Sequence, residues 1–107
     1  MAVSQEIRNI TEAIRTTVQV ERIYLFGSHA YGAPDDGSDY DIYVVVPDGG
    51  LKPLDAAKAA YRSLRQVRRK TPVDIMADYQ SSFEQRKSMN TLERKIANEG
   101  VVLYERQ

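Results

Sequence analysis

The sequence predicts an α/β (α+β) fold, in which a small mixed β-sheet has helices packed against it. Short apolar runs typical of strands occur at 23–26, 39–46, 73–77 and 101–105, and they alternate with longer segments of helical periodicity. The chain has 107 residues, of which 42% are hydrophobic and 28% are charged. This is enough for one modest core, so we expect a single domain over residues 1–107.

The spacing of apolar residues predicts three helices between these strands. The first begins at the capping residue Ser4, and the second runs from about 53 to 69. The third is capped by Asn90 with Glu93 and ends at Gly100. The apolar residues expected to face the core are Ile7, Ile10, Ile14, Val18, Leu54, Ala57, Tyr61, Leu64, Val67, Leu92 and Ile96.

Two carboxylates stand at the head of the second apolar run, in the pattern Asp39-Tyr40-Asp41. Side chains two positions apart on a strand share a face, so both acids are expected to point the same way, about 5–7 Å apart. Like charges this close favour a cation between them. Carboxylate oxygens suit Mg²⁺ or Mn²⁺, and the pair therefore predicts a metal site, although Asp is also common at solvated strand ends.

A Gly-Ser turn ends the first apolar run ten residues before this pair. Gly27 lets the backbone turn and approach a ligand closely because it has no Cβ. The Ser28 hydroxyl can donate a hydrogen bond to a phosphate oxygen, and a helical turn over 28–31 would add backbone N–H groups. The alternative is an ordinary strand-to-helix turn with a serine cap.

A third carboxylate, Asp74, interrupts the apolar run 73–77. An acid in a half-buried strand needs a partner, so Asp74 is a candidate ligand for a second metal or an activator of a nucleophile. The alternative is a residue that simply points outward. Asp55 and Asp78 are interpreted as loop or helix-cap acids.

Together these positions resemble the signature of the DNA polymerase β-like nucleotidyltransferase superfamily. Within it the chain is similar to the minimal nucleotidyltransferase (MNT) family, which includes the MntA-like antitoxins of HEPN/MNT toxin–antitoxin pairs. The matching positions are Gly27, Ser28, Asp39, Asp41 and Asp74, and the ending over 96–105 is also similar. The resemblance spans about the whole chain and implies the polymerase β-like fold.

The resemblance implies transfer of AMP from ATP to an acceptor hydroxyl. Asp39, Asp41 and Asp74 would be catalytic and would hold two Mg²⁺ ions, with Mn²⁺ as a substitute, while Gly27 and Ser28 would bind the nucleotide. It also implies a HEPN-type ribonuclease toxin as the partner and protein acceptor, and a homo- or hetero-oligomer. One departure is Ala30-Tyr31-Gly32, where many relatives have Ala-Arg-Gly.

The missing arginine leaves the basic contact to the triphosphate open. Arg22, Arg86 and Lys87 are alternatives that the sequence does not separate. Tyr31 is a candidate contact for the nucleobase, whereas Tyr40 and Tyr43 are interpreted as packing residues and His29 as a solvated side chain.

Charge and cysteine content exclude several classes of function. Lys plus Arg and Asp plus Glu both number 15, so no general nucleic-acid binding is expected. The chain has no cysteine, which excludes disulfides and a thiol nucleophile. It shows no signal-peptide or membrane-span pattern, so we expect a cytoplasmic protein. A dense basic group is interpreted as a solvated face and consists of Arg62, Arg65, Arg68, Arg69 and Lys70.

Two other functions remain open. One is a non-catalytic antitoxin that masks its partner sterically. The other is a small-molecule nucleotidyltransferase of the aminoglycoside type, for which Asp35, Asp36 and Glu84 are candidates for an acidic pocket.

Overall fold

The structure is a computed structural model that describes residues 3–32, 34 and 37–107. Helices and strands alternate along these residues. The elements are α1 (Gln5–Thr17), β1 (Arg22–Phe26), α2 (Ser28–Tyr31), β2 (Tyr40–Val46), α3 (Pro53–Ser63) followed by a 3-10 turn (Leu64–Gln66), β3 (Val73–Tyr79), α4 (Gln80–Lys87), α5 (Leu92–Glu99) and β4 (Val101–Glu105).

The four strands form one mixed sheet in the order β3-β2-β1-β4. β1 pairs antiparallel with β2 and with β4, while β2 and β3 are parallel. β2 and β1 are therefore interior strands, and β3 and β4 are the edges. This arrangement confirms the predicted mixed sheet with helices packed against it.

Helices α1 and α3 cover one face of the sheet. Alternate residues of the interior strands point to this face, among them Ile23 and Leu25 on β1 and Ile42 and Val44 on β2. α1 begins at Ser4, whose hydroxyl accepts the amide hydrogen bond of Ile7 at 3.1 Å, as predicted. The larger apolar core lies between these helices and the sheet.

Helices α4 and α5 cover the other face over a smaller, aromatic core. Phe83 of α4 stacks on Tyr24 at 5.4 Å between ring centroids and meets Tyr43 edge-on at 5.3 Å. Ile96 of α5 completes the cluster with Val45. The burial of Tyr40 and Tyr43 confirms that both are packing residues.

One buried carboxylate ties these helices to β2. Glu93 of α5 is only 5% exposed, accepts a hydrogen bond from the Tyr43 hydroxyl at 2.9 Å and pairs with Arg86 of α4 at 3.0 Å. Burial alone would raise the pKa of Glu93, but hydrogen bonds from its own backbone N–H, Tyr43 and Arg86 outweigh it, and the pKa is lowered.

The predicted helix over 53–69 is too long, and its predicted core face is right for Ala57, Leu64 and Val67 but wrong for Leu54 and Tyr61. α3 ends at Ser63 and the 3-10 turn ends at Gln66. The basic residues at 68–70 are exposed and offer no apolar side chain that would extend the contact of the helix with the sheet. The buried face of α3 consists of small residues, which let it lie close to the sheet, and Leu54 is 67% exposed. The buried positions are Ala56, Ala60 and Ser63, followed by Leu64 in the 3-10 turn.

The C-terminal half shows two further differences. α4 was not predicted, because Phe83 is the only apolar residue in its eight and no periodicity results. α5 is capped by Thr91, whose hydroxyl accepts from the Arg94 amide at 3.2 Å, rather than by Asn90. No helix within the described residues combines the length and the apolar character needed to cross a membrane.

Candidate active site

The strand pairing brings the predicted acids to one end of the sheet. Because β1 and β2 are antiparallel, the last residue of β1, Phe26, lies opposite Asp41 near the start of β2. On the other side Asp41 is in register with Asp74 near the start of β3. Asp39 precedes β2, which begins at Tyr40 rather than at the predicted residue 39. The cross-strand neighbour of Asp41 is therefore Asp74.

The electrostatics of Asp41 show that the charges of two other carboxylates act on it. Burial raises the pKa of Asp41 above its usual value, and the charges of Asp74 and then Asp39 raise it further, while His29 lowers it slightly. Excess negative charge therefore accumulates on the face of the sheet that Asp41 shares with Tyr43. A bound cation would relieve this repulsion.

Gly27 is required where it stands. Its backbone has φ +77°, and a Cβ at this position would overlap Asp41 Oδ2. The carboxylate of Asp41 therefore packs directly against the Gly27 backbone. The Gly27 carbonyl accepts the amide hydrogen bonds of Ala30 and Tyr31, both at 3.0 Å, which start the helical turn α2. Ser28 is the first residue of α2 and is half-buried, as predicted for the turn.

Tyr61 was missed as a site residue by the sequence reasoning, which placed it in the apolar stripe of α3. It is 42% exposed, and its hydroxyl donates to Asp74 Oδ1 at 3.1 Å while accepting from the Ile75 amide at 2.7 Å. Burial, and then the hydrogen bond to Asp74, raise the pKa of Tyr61. Tyr61 thus fixes the side chain of Asp74 to the open edge of β3. No spacing rule in the sequence connects these two positions.

Asp78 and His29 have structural roles. Asp78 accepts from the Tyr79 amide at 2.8 Å and from the Ser82 hydroxyl at 2.7 Å, so it stabilises the start of α4, as predicted for a cap acid. His29 is not simply solvated as predicted. Its Nε2 bonds the Ser38 carbonyl oxygen at 3.0 Å, and its ring packs edge-on against Tyr40 at 4.6 Å.

The three cations considered for the triphosphate all make ion pairs elsewhere. Arg22 lies at the opposite end of β1 from Gly27, about 17 Å away along the chain direction of the strand. It pairs with Glu105 at 3.1 Å and with Glu84 at 3.6 Å, and Lys87 pairs with the same Glu84 at 2.6 Å. Arg86 pairs with buried Glu93. The ion pairs of Glu84 also weaken its candidacy for an acidic pocket. Asp35 and Asp36 lie outside the described residues.

The three carboxylates offer oxygen ligands, the type that a hard divalent cation such as Mg²⁺ prefers. Asp41 and Asp74 are cross-strand neighbours, and Asp39 lies two residues before Asp41 in the chain, so oxygen ligands are concentrated at one place. Within residues 3–32, 34 and 37–107, no group of three His, Cys, Asp or Glu side chains is already arranged around a common ligand position. Asp74 accepts the Tyr61 hydrogen bond at Oδ1, which fixes the carboxylate, so its other oxygen, Oδ2, would be the metal ligand.

Comparison with known proteins agrees with this geometry. Residues 8–107 match the family described as "Polymerase beta, Nucleotidyltransferase". No curated protein matches the chain.

Solved structures share the fold. A protein from Sulfolobus solfataricus assigned as a nucleotidyltransferase superposes with a TM-score of 0.65 at 21% identity, over 95% of this chain and 79% of that one. A toxin–antitoxin complex with AMP-PNP gives 0.60 at 23% identity, over 97% and 76%. A mutant of the MntA-HpeT toxin–antitoxin with two Asp-to-Glu substitutions gives 0.59 at 21% identity, over 97% and 76%.

The family match covers nearly the whole chain and includes the Gly-Ser turn and all three acids. These residues carried the resemblance to the polymerase β-like superfamily, which is confirmed. The chain belongs to the polymerase β nucleotidyltransferase family.

Proposed function

We propose that this protein transfers AMP from ATP to a hydroxyl group of a protein, and that it is the antitoxin of a HEPN-type ribonuclease toxin. One observation carries the chemical part of the proposal. In a member of a nucleotidyltransferase family, Asp41 and Asp74 lie side by side on adjacent strands, and Asp41 packs against the Gly27 backbone. This arrangement supports the proposal, because carboxylates that can bind metal and a Gly-Ser turn that can bind phosphate lie at one end of the sheet.

Asp39, Asp41 and Asp74 would hold divalent metal, two Mg²⁺ ions by the family's chemistry, with Mn²⁺ as a substitute. When bound, the metal supplies positive charge that neutralises the phosphates and the leaving pyrophosphate. The raised pKa of Asp41 is consistent with this role, because a carboxylate crowded by two others gains most from a nearby cation.

The residues of the chain would then position the two reactants. Ser28 Oγ and the backbone of Gly27 bind the β- and γ-phosphates. Asp74 orients the acceptor hydroxyl and takes its proton as the oxygen attacks the α-phosphorus. The new oxygen–phosphorus bond forms as the bond to the bridging oxygen breaks, and pyrophosphate leaves with that electron pair.

The partner is proposed from the structural neighbours. Two of them are toxin–antitoxin complexes, and one of these contains AMP-PNP. Because these neighbours are under 25% identical, they support the antitoxin role by shared fold alone. On this proposal, residues 1–107 form one nucleotidyltransferase domain that acts in the cytoplasm and recognises its acceptor through the surface of the partner protein.

The test is transfer from ATP labelled at the α-phosphate, with Mg²⁺ and lysate of the source cell. We expect a labelled protein band with the wild type and none with Asp74→Asn. ATP labelled at the γ-phosphate should label no additional band, since that phosphate leaves with pyrophosphate. Intact mass measurement of the labelled band would identify the acceptor and count the added nucleotides.

Two results would contradict the proposal. A band that persists with Asp74→Asn would remove Asp74 from the chemistry. No band with the wild type, together with neutralisation of a co-expressed toxin that Asp41→Asn leaves intact, would establish a masking antitoxin instead.

Tyr61→Phe tests whether Tyr61 positions Asp74 for metal binding. The substitution removes the hydroxyl but keeps the ring, so Asp74 loses a donor and the Ile75 amide loses its acceptor. We expect Mn²⁺ affinity to fall about threefold to tenfold, which corresponds to the loss of one ordinary, partly exposed hydrogen bond. Electron paramagnetic resonance titration with Mn²⁺ would measure this. Tyr104→Phe, on the far edge strand β4, is the matched control and should not change Mn²⁺ affinity. Unchanged affinity in Tyr61→Phe would make the contact purely structural.

A further inference from the structure

The C-terminal half of α5 lies at the same end of the sheet as Asp39, Asp41 and Asp74. Gly100 ends α5, and the next residue, Val101, pairs with Leu25 two positions before Gly27. A Cβ at Gly100 would lie 3.1 Å from the Leu25 carbonyl oxygen, so the end of the helix is in close contact with the end of β1. Side chains of the last turns of α5 therefore lie near the Gly-Ser turn.

Lys95 is the cation that this helix places over α2. Its Nζ lies 4.7 Å from the centre of the Tyr31 ring. Burial raises the pKa of Tyr31, the Gly27 backbone N–H lowers it, and the charges of Glu99 and Asp41 raise it again. Tyr31 thus lies between Lys95 on one side and Gly27 with Asp41 on the other. Its hydroxyl oxygen is buried, and no group that the structure describes lies in hydrogen-bonding geometry to it.

Lys95 also differs in its partners from the three cations considered above for the triphosphate. Arg22, Arg86 and Lys87 are all held by glutamates, at 2.6 to 3.6 Å. In the part of the chain that the structure describes, no carboxylate pairs with Lys95, and Glu99 one turn later is not within 4.0 Å of its Nζ. Its ammonium group is therefore available to an anion, while the Tyr31 ring limits its positions.

We propose that Lys95 binds the β- and γ-phosphates of the nucleoside triphosphate, supported by the face of the Tyr31 ring. This deepens the proposed function and rests on it. The acids at 39, 41 and 74 require metal for charge balance, so phosphates beyond the metal need a cation from the protein. Lys95 of α5 supplies that cation. Its ammonium group is a compact charge on a flexible aliphatic side chain, so it can follow the phosphates.

The experiment is isothermal titration calorimetry with Mg²⁺ and three probes: AMP-PNP, AMP and inorganic tripolyphosphate. In Lys95→Met we expect binding of AMP-PNP and of tripolyphosphate to weaken about tenfold, and binding of AMP to change less than about twofold. Lys95→Arg should restore most of the affinity, because it keeps the charge. Tyr31→Leu should weaken tripolyphosphate about threefold by removing the aromatic face. The matched control is Lys58→Met, an exposed lysine on α3, which covers the opposite face.

The outcomes separate this proposal from the proposed function. If the wild type binds AMP-PNP and Lys95→Met binds it equally well, the role of Lys95 is overturned while the nucleotide site stands. An equal loss for AMP and AMP-PNP would place Lys95 at the nucleoside or α-phosphate and also overturn it. If the wild type binds none of the three probes, the proposed function fails together with the inference. Circular dichroism of Lys95→Met should match the wild type, since the side chain is exposed.

Discussion

Replacing Asp41 with Asn should abolish nucleotidyl transfer, with a loss of about 10³-fold or more, because the carboxylate that we propose as a metal ligand, in contact with Gly27, is lost. The same change should not destabilise the metal-free protein at neutral pH. Burial and two neighbouring carboxylates raise the pKa of Asp41, so its charge opposes folding, and an uncharged amide removes that repulsion. Transfer of α-phosphate label and thermal melting without metal measure the two effects.

The pH dependence of this stability difference has a defined sign. The folded-state pKa of Asp41 lies above its unfolded value, which is about 3.9. Protonation therefore stabilises the wild type, and this contribution is fully present below the unfolded pKa and lost as pH rises through the folded pKa. The advantage of Asp41→Asn in melting temperature should thus appear at neutral pH and disappear below about pH 4.

Asp78→Asn is the control for Asp41→Asn. Asp78 lies on the same strand as Asp74, but its carboxylate bonds the start of α4, so this variant should keep transfer activity and lose a little stability. If Asp41→Asn melted well below the wild type at neutral pH, the carboxylate of Asp41 would stabilise the Gly27 turn. Its charge would then not oppose folding.

Phe83→Ala should have the largest effect on stability. Phe83 is fully buried between the rings of Tyr24 and Tyr43 and is the only buried residue of α4. Its truncation should lower the free energy of unfolding by about 3–5 kcal/mol, because a cavity replaces an aromatic side chain and two ring contacts. Chemical denaturation monitored by circular dichroism measures this change.

Leu54→Ala is the matched apolar control for Phe83→Ala. Leu54 is 67% exposed on α3, so its truncation should change stability by less than about 0.5 kcal/mol. If the loss for Phe83→Ala were as small as this, α4 would contribute little to the cooperative unit, and the aromatic core would be held by α5 alone.

The parts of the fold that follow local patterns could be predicted from sequence. Ser4 and the isoleucines of α1 carry a cap and a period of 3.6, and each strand has an apolar run. α4 could not be predicted, since Gln80–Lys87 has one apolar side chain and forms because Phe83 enters a cavity made by two distant tyrosines. Tertiary packing, not propensity, makes this segment a helix.

The candidate site also has a part that local sequence patterns predict and a part that depends on tertiary packing. Gly27, Ser28 and the three acids were found by spacing, because Gly-Ser and Asp-x-Asp are each local in sequence. Asp41 and Asp74 are neighbours only because β2 and β3 pair in parallel. The two strands are separated in the sequence by α3, so no local pattern predicts this pairing. Tyr61 and Lys95 lie on helices, so the roles that we propose for them depend on packing that no short motif records.

Asp41 and Asp74 also lie on strands that are expected to differ in their protection from hydrogen exchange. β2 is flanked by β1 and β3, whereas β3 has an open edge. Amides on edge strands exchange hydrogen through local opening, and those of interior strands exchange only when larger units open. Asp41 is therefore anchored in the slowly exchanging centre of the sheet and Asp74 in a strand that can fray. The Tyr61 hydroxyl, which accepts the hydrogen bond of the Ile75 amide, is one contact expected to limit this fraying. The fraction of time in which the site is intact thus depends on the edge strand rather than on global stability.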